Sequence, residues 1–172
     1  VIKPDGRMYV QSGIGNLGTE SVFDVHRVAA ELVGISWDKV VITWGNSAKF
    51  LPFTCNQGGS QTTHAMTRAA HAAGIDARRK LQQIAAKVLG GSPESYQVEG
   101  ERVFSGGRGL TLAQAAQKAI ELGGTFDGHE LPENINATTK ASASALAGQG
   151  LLFVLAGPRR DSFTFSGRMA TE

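Results

Sequence analysis

Six residues near the start of the chain have the spacing of a phosphate-binding loop. Gly13-Ile14-Gly15-Asn16-Leu17-Gly18 matches G-x-G-x-x-G, between a strand-like run, Arg7–Gln11, and a run of helical spacing, Thr19–Val33. In such a setting glycines let a phosphate approach the backbone, and the helix N-terminus attracts its charge. From its spacing alone, the loop therefore predicts either an NAD or FAD dinucleotide site or a glycine turn without a ligand.

The next strand weakens the dinucleotide interpretation. That fingerprint requires Asp or Glu at the end of the second strand to bind the ribose, whereas Lys39–Trp44 is followed by Gly45-Asn46. The strand before the loop is also short and polar for the centre of a parallel sheet. A dinucleotide-binding domain that uses Gly13–Gly18 remains an alternative.

A second glycine turn, Gly58-Gly59-Ser60-Gln61-Thr62, precedes a long helical pattern that ends at Gly90-Gly91. Small residues, two hydroxyl groups and a helix N-terminus together form an anion cradle. The alternative is that Ser60 only caps the helix. His64, one turn into the helix, either faces a ligand or lies at the surface.

The remaining pattern predicts an α+β fold, with α/β as the near alternative. Within the long helix, small residues recur between Met66 and Ala77, which lets another backbone pack closely, and Gly74 predicts a kink or two abutting helices. Residues 126–149 show no period and predict a long loop or surface arm. Further predicted elements are a hairpin from Tyr96–Val98 and Arg102–Phe104, a helix from Thr111 to Leu122, and strands at Leu151–Leu155 and Ser162–Phe165.

Composition limits the classes of function. Lys and Arg number 17 against 15 Asp and Glu, a net charge of +2, which gives no support for nucleic-acid binding. The lone Cys55 excludes an internal disulfide and an all-Cys metal site and is compatible with a cytoplasmic location. No apolar run approaches the roughly 20 residues of a membrane span.

The order of these motifs resembles the molybdopterin-binding large subunits of molybdenum hydroxylases, the xanthine dehydrogenase and aldehyde oxidase family. Asp5–Gly13 followed by Gly15–Glu20 is similar to the family's run of D-G-x, a strand, G-x-x-(D/E)-M-G-Q-G and a helix. Gly58–Thr63 is similar to the family's later turn, G/A-S-x-(S/T). The resemblance covers about Asp5 to Leu89, and Glu99–Phe104 and Leu110–Leu122 fit more loosely.

The resemblance implies which residues bind the cofactor. Gly18 and Thr19 fall at the glycine and glutamine of the family's M-G-Q-G motif, whose glutamine contacts the coordination sphere of the molybdenum. Thr19 is shorter and offers a hydroxyl group instead of an amide. Gly58, Gly59, Ser60, Gln61 and Thr62 fall in the turn that holds the pterin and its phosphate. The pterin itself ligates the metal in this family, so no metal-ligating residue is expected here.

The resemblance also implies the rest of the enzyme. We expect a component of an oxidoreductase that hydroxylates an aldehyde or N-heterocycle with oxygen from water, with molybdopterin in its cytosine dinucleotide form. Iron–sulfur clusters and FAD would lie on other chains. Partners would be the remainder of the large subunit, an iron–sulfur subunit and a flavin subunit.

The catalytic residues are expected elsewhere. The family's catalytic glutamate lies in a G-E-P-type segment, which is not found after Gly90, so the chain alone is expected to be inactive. Its ends, at Val1 and Glu172, read as cuts through a longer polypeptide, or as those of a trimmed mature protein. We divide it into a molybdopterin-binding segment, 1–91, and a second α+β segment, 92–172. A structural fragment that binds no cofactor is the remaining alternative.

Overall fold

The computed structural model describes residues 1–54 and 57–154, and its fold is α+β. Strand β1 (Met8–Gln11) pairs in parallel with β2 (Val40–Thr43), and helix α1 (Ser21–Val33) connects them. The strand–loop–helix–strand order predicted from the sequence is therefore confirmed. Because parallel strands end at the same edge of a sheet, the loop after β1 emerges beside the segment that follows β2.

The long helix is continuous through its glycine. A π turn, Thr62–Met66, leads into α2 (Thr67–Leu89), which packs along α1. A Cβ atom at Gly74 would lie 2.7 Å from Leu32 Cδ1 and 3.2 Å from Ala29 Cα. The prediction of two abutting helices is wrong, because α2 runs unbroken through Gly74, where the missing side chain serves the close approach of α1.

The second half of the chain contains a three-stranded antiparallel sheet. Strands β3 (Gln97–Glu99) and β4 (Arg102–Ser105) form the predicted hairpin, and β5 (Arg108–Thr111), which the sequence did not predict, pairs with β4. Helix α3 (Leu112–Leu122) follows directly. The predicted helix is confirmed, and it begins with a capping box, in which Thr111 Oγ1 accepts the Gln114 amide and Gln114 Oε1 accepts the Thr111 amide.

The segment predicted as a long loop contains helix α4 (Ala137–Ser144). The helix begins at Asn136, whose side chain accepts the Thr139 amide at 2.8 Å. A cap is therefore a better guide here than periodicity, since the helix is polar on most sides. Leu151 makes only an isolated bridge to Ile2; Leu155, the strand predicted at Ser162–Phe165, and Cys55 lie outside the described residues.

One main core draws on both halves of the described chain. It unites Met8 of β1 and Leu81 of α2 with Val103 of β4 and Ala116 of α3. A smaller cluster of Ile14, Val22 and Val25 lies under the glycine loop. Among the described residues, no helix combines the length and the apolar character that crossing a bilayer requires.

Candidate functional site

The first glycine loop, residues 12–20, is anchored at its start. The Ser12 amide donates to the Thr43 carbonyl at 2.9 Å, which extends the pairing of β1 with β2. The Ser12 hydroxyl accepts the Ile14 amide at 3.2 Å, and Ile14 is only 2% exposed. This buried anchor fixes where the loop leaves the sheet.

The tip of the loop is organised by one side chain. Asn16 Oδ1 accepts the amides of Gly18 at 2.9 Å and Glu20 at 3.2 Å, and Asn16 Nδ2 donates to Glu20 Oε1. Gly18 has a φ of 87°, and a methyl group there would meet nothing within 4 Å. Thr19 is exposed, with its hydroxyl 2.6 Å from that of Ser21. Gly18 and Thr19 therefore present an open surface.

The second glycine turn lies beside the first loop. Thr54 Oγ1 donates to the Gly13 carbonyl at 3.0 Å. A Cβ atom at Gly13 would lie 2.0 Å from the Pro52 carbonyl oxygen, and one at Gly15 would lie 3.1 Å from Gln57 Oε1. Because Gln57 directly precedes Gly58, the segment that leads into the second turn packs against the first loop.

The second turn has an unusual backbone. Gly59 and Ser60 are both left-handed, with φ values of 59° and 58°, and the Gln61 amide donates to the Gly58 carbonyl at 3.2 Å. The predicted N-cap role of Ser60 is wrong: a cap needs an extended backbone, and no side chain caps the π turn that starts at Thr62. A serine in this conformation is strained, which is frequent at binding sites.

The turn carries a polar atom that lacks a partner. Gln61 Oε1 is buried and accepts no hydrogen bond among the described residues, whereas Gly59 and Ser60 are exposed. A buried acceptor without a donor is costly unless a ligand or water supplies one. The turn therefore fits a group that offers hydrogen-bond donors as well as phosphate oxygens, as molybdopterin does. The described residues contain no cluster of three or more His, Asp or Glu side chains that could hold a metal ion.

Two of the three glycines in the first loop, Gly13 and Gly15, serve the packing of the chain. The space beside Gly13 that a pyrophosphate would need is filled by the Pro52 carbonyl. After β2, Trp44 packs edge-on against Phe23, with ring centroids 6.1 Å apart, where a dinucleotide site would need a carboxylate. These contacts speak against the dinucleotide alternative.

Sequence reasoning missed the residues that join and shape the two loops. Asn16 followed by Gly18 is a recognisable turn signal, but nothing in the sequence marks Thr54 or Gln57 as partners of the first loop. It also missed a side-chain pair elsewhere, in which His129 Nδ1 lies 2.5 Å from Oδ1 of the fully buried Asp127. The Asp127 carbonyl accepts the Gly148 amide as well, which ties the turn before α4 to the segment after it.

Comparison with known proteins identifies the family of this chain. Residues 1–152 match the family model of the molybdopterin cofactor-binding domain. The chain is also 26% identical over 153 residues to the aldehyde oxidoreductase molybdenum-binding subunit PaoC of Escherichia coli O157:H7 and of strain K12. These alignments cover 80% of this chain and 20% of each relative, so the chain spans about a fifth of their length. The match across both glycine loops and the core shows that this chain belongs to the molybdopterin cofactor-binding domain family.

Proposed function

We propose that this chain forms one wall of the molybdenum cofactor site in a molybdenum hydroxylase-type oxidoreductase. The main support is the adjacency of the two glycine loops, through the Thr54–Gly13 hydrogen bond and the packing of Gln57 against Gly15. Family membership supports the cofactor. The name of the relatives, molybdenum-binding subunits of an aldehyde oxidoreductase, supports the class of reaction.

The proposed binding residues divide by loop. Gly18 and Thr19 lie on the open side of the first loop, where the backbone lets a ligand approach and the Thr19 hydroxyl can donate. In the second turn, Gly58, Gly59, Ser60 and Thr62 offer amides and hydroxyl groups to a phosphate, and Gln61 offers its unpartnered oxygen to a pterin N–H. The bound cofactor supplies the redox chemistry, and this chain binds and orients it.

The complete enzyme would hydroxylate an aldehyde or an N-heterocycle, with the oxygen atom taken from water. We further propose the cytosine dinucleotide form of the cofactor and a cytoplasmic location. Iron–sulfur clusters and FAD would lie on other chains, and the partners would be the remainder of the large subunit, an iron–sulfur subunit and a flavin subunit. The segment 1–91 would carry the cofactor contacts, and 92–172 would support them.

The test is a double variant of the second turn, Ser60→Ala with Thr62→Ala, in the enzyme purified with its partner chains. Loss of two hydroxyl donors should lower the molybdenum and pterin content per protein, measured by metal analysis and by fluorescence of the oxidised pterin. The matched control is Thr63→Ala, which changes the exposed neighbour of the same turn. Unchanged cofactor content in the double variant would refute the site and favour a structural fragment that binds no cofactor.

A further inference from the structure

A cavity of about 270 Å³ lies beside β1 and the start of the first glycine loop, where Ser12, Gly13 and Ile14 line it. It is bounded by the end of β1, the middle of α1, the first half of α2, and α4 with its approach. Its wall is mostly apolar and includes Met66, Ala73, Ile135 and Leu146. None of the seven residues proposed to bind the cofactor lines it.

Three polar side chains in this wall have buried atoms without hydrogen-bond partners among the described residues. They are Gln11 Oε1, His26 Nε2 and Ser142 Oγ, from β1, α1 and α4. Ser142 is only 4% exposed, so its hydroxyl cannot turn to bulk solvent. Buried polar groups of this kind call for a partner inside the cavity, and the cavity is several times larger than the roughly 30 Å³ share of one water molecule.

Among the described residues, the wall carries no formally charged side chain near pH 7, because no Asp, Glu, Lys or Arg of the described ranges lines the cavity. Burial lowers the pKa of His26 to about 4 and that of the Val1 amine to about 5, so that both groups are neutral near pH 7. An ion that entered would lose its hydration without gaining a counter-charge. The cavity therefore selects against charged molecules.

We propose that this cavity is a binding site for a small uncharged molecule, mainly an apolar ring, that carries a hydrogen-bonding group. The ring would contact the Met66 and Ala73 side of α2. The polar group would meet Ser142 and Gln11, whose atoms can accept a hydrogen bond, the hydroxyl also being able to donate one. Gly13 and Thr54, which join the two glycine loops, are part of the wall, but none of the residues proposed to bind the cofactor is, so the proposal does not rest on the function proposed above.

Three probes of the same ring size test the selection by charge. Benzamide is neutral, benzoate is an anion and benzamidine is a cation at pH 7. We expect calorimetry on the full chain to detect benzamide, and binding of benzoate and benzamidine to be at least tenfold weaker. Equal binding of all three probes would overturn the proposal. It would also be overturned if benzamide did not bind, because the cavity would then hold only water.

Two variants and a control test whether the probe binds in the cavity. Ala73→Phe fills it and should abolish benzamide binding, whereas Ala72→Phe, its exposed neighbour on α2, should leave binding within twofold. Ser142→Ala should weaken binding about fivefold, the effect of one hydrogen bond, without destabilising the free chain, because it removes a hydroxyl that has no partner there. Unchanged binding in Ala73→Phe, with the fold intact by circular dichroism, would place the probe elsewhere and refute the site.

Discussion

At the scale of single residues, Gly13 is the glycine with the least space for a side chain. The Pro52 carbonyl oxygen occupies the position beside its Cα, and the Thr54 methyl group lies next to it. We predict that Gly13→Ala separates the two glycine loops, lowering the free energy of unfolding by about 3 kcal/mol and the cofactor content with it. Urea denaturation and metal analysis measure the two effects.

Gly107→Ala is the matched control, because a methyl group at Gly107 meets nothing within 4 Å and its φ lies outside the left-handed region. It should leave both quantities unchanged. If Gly13→Ala were as stable as the wild type, the packing of the 50–54 segment against the first loop would be wrong.

A second residue makes stability depend on pH. Burial lowers the pKa of His26 from 6.5 to about 4 in the folded chain, so between these values the unfolded chain binds more protons. The free energy of unfolding should therefore fall as the pH drops from about 6.5 to about 4, by up to roughly 3 kcal/mol. Urea titrations at several pH values in this range measure the loss.

His26→Gln should remove the part of this dependence that the imidazole causes, because glutamine does not titrate. The buried Val1 amine, whose pKa burial lowers from 8.0 to about 5, should keep a share of the dependence above pH 5. His71→Gln, an exposed histidine on α2, is the control and should keep the wild-type profile. Parallel profiles for the wild type and His26→Gln would show that groups other than this imidazole cause the loss of stability.

At the scale of elements, α1 and α2 are held at a distance that Gly74 sets. Alanine would favour the helix by about 1 kcal/mol, but its Cβ would lie 2.7 Å from Leu32 Cδ1 and 3.2 Å from Ala29 Cα. We predict a net loss of about 1–2 kcal/mol for Gly74→Ala, measured by thermal denaturation. In a Leu32→Ala background, where the methyl groups of Leu32 are gone, the same change should cost less. Additive effects of the two changes would contradict direct contact.

The elements also show what the sequence could predict. Local signals sufficed for α3, whose capping box joins Thr111 and Gln114, and for α1, whose apolar residues recur at helical spacing. Strand β5 has little local signal, because its conformation comes from pairing with β4, and α4 has no apolar period. Sequence order predicted both glycine loops. Their adjacency depends on Thr54 and Gln57, which are tertiary contacts that no local pattern encodes.

For the whole molecule, the shared core decides how the chain unfolds. Met8 and Leu81, from the segment 1–91, lie in one cluster with Val103 and Leu112, from the segment 92–172. We therefore predict a single cooperative transition in urea, in which the fluorescence of Trp37 and Trp44 and the hydrogen exchange of α3 amides report the same midpoint. Two separate midpoints would instead mean that the segments are independent domains.

A core substitution in the second segment sharpens this test. Leu112 is 2% exposed, so Leu112→Ala should lower the unfolding free energy reported by the tryptophans by about 2–5 kcal/mol, although both tryptophans lie in the first segment. Leu122→Ala is the control, because Leu122 is 41% exposed. If Leu112→Ala left the unfolding transition of the tryptophans unchanged, the two segments would unfold as independent domains.

Because the chain is short relative to its relatives, we expect it to be inactive on its own. It spans 20% of its relatives' length, and the proposed residues bind and orient a cofactor without supplying the general base that the family resemblance assigns to a distant glutamate. Purified without partner chains, the 172-residue chain should show no turnover of aldehydes or N-heterocycles, measured as product formation with an artificial electron acceptor. The assembled enzyme is the positive control. Turnover by the isolated, metal-free chain would mean that the reaction takes place within these residues, and the proposed division between cofactor-binding wall and catalytic remainder would fail.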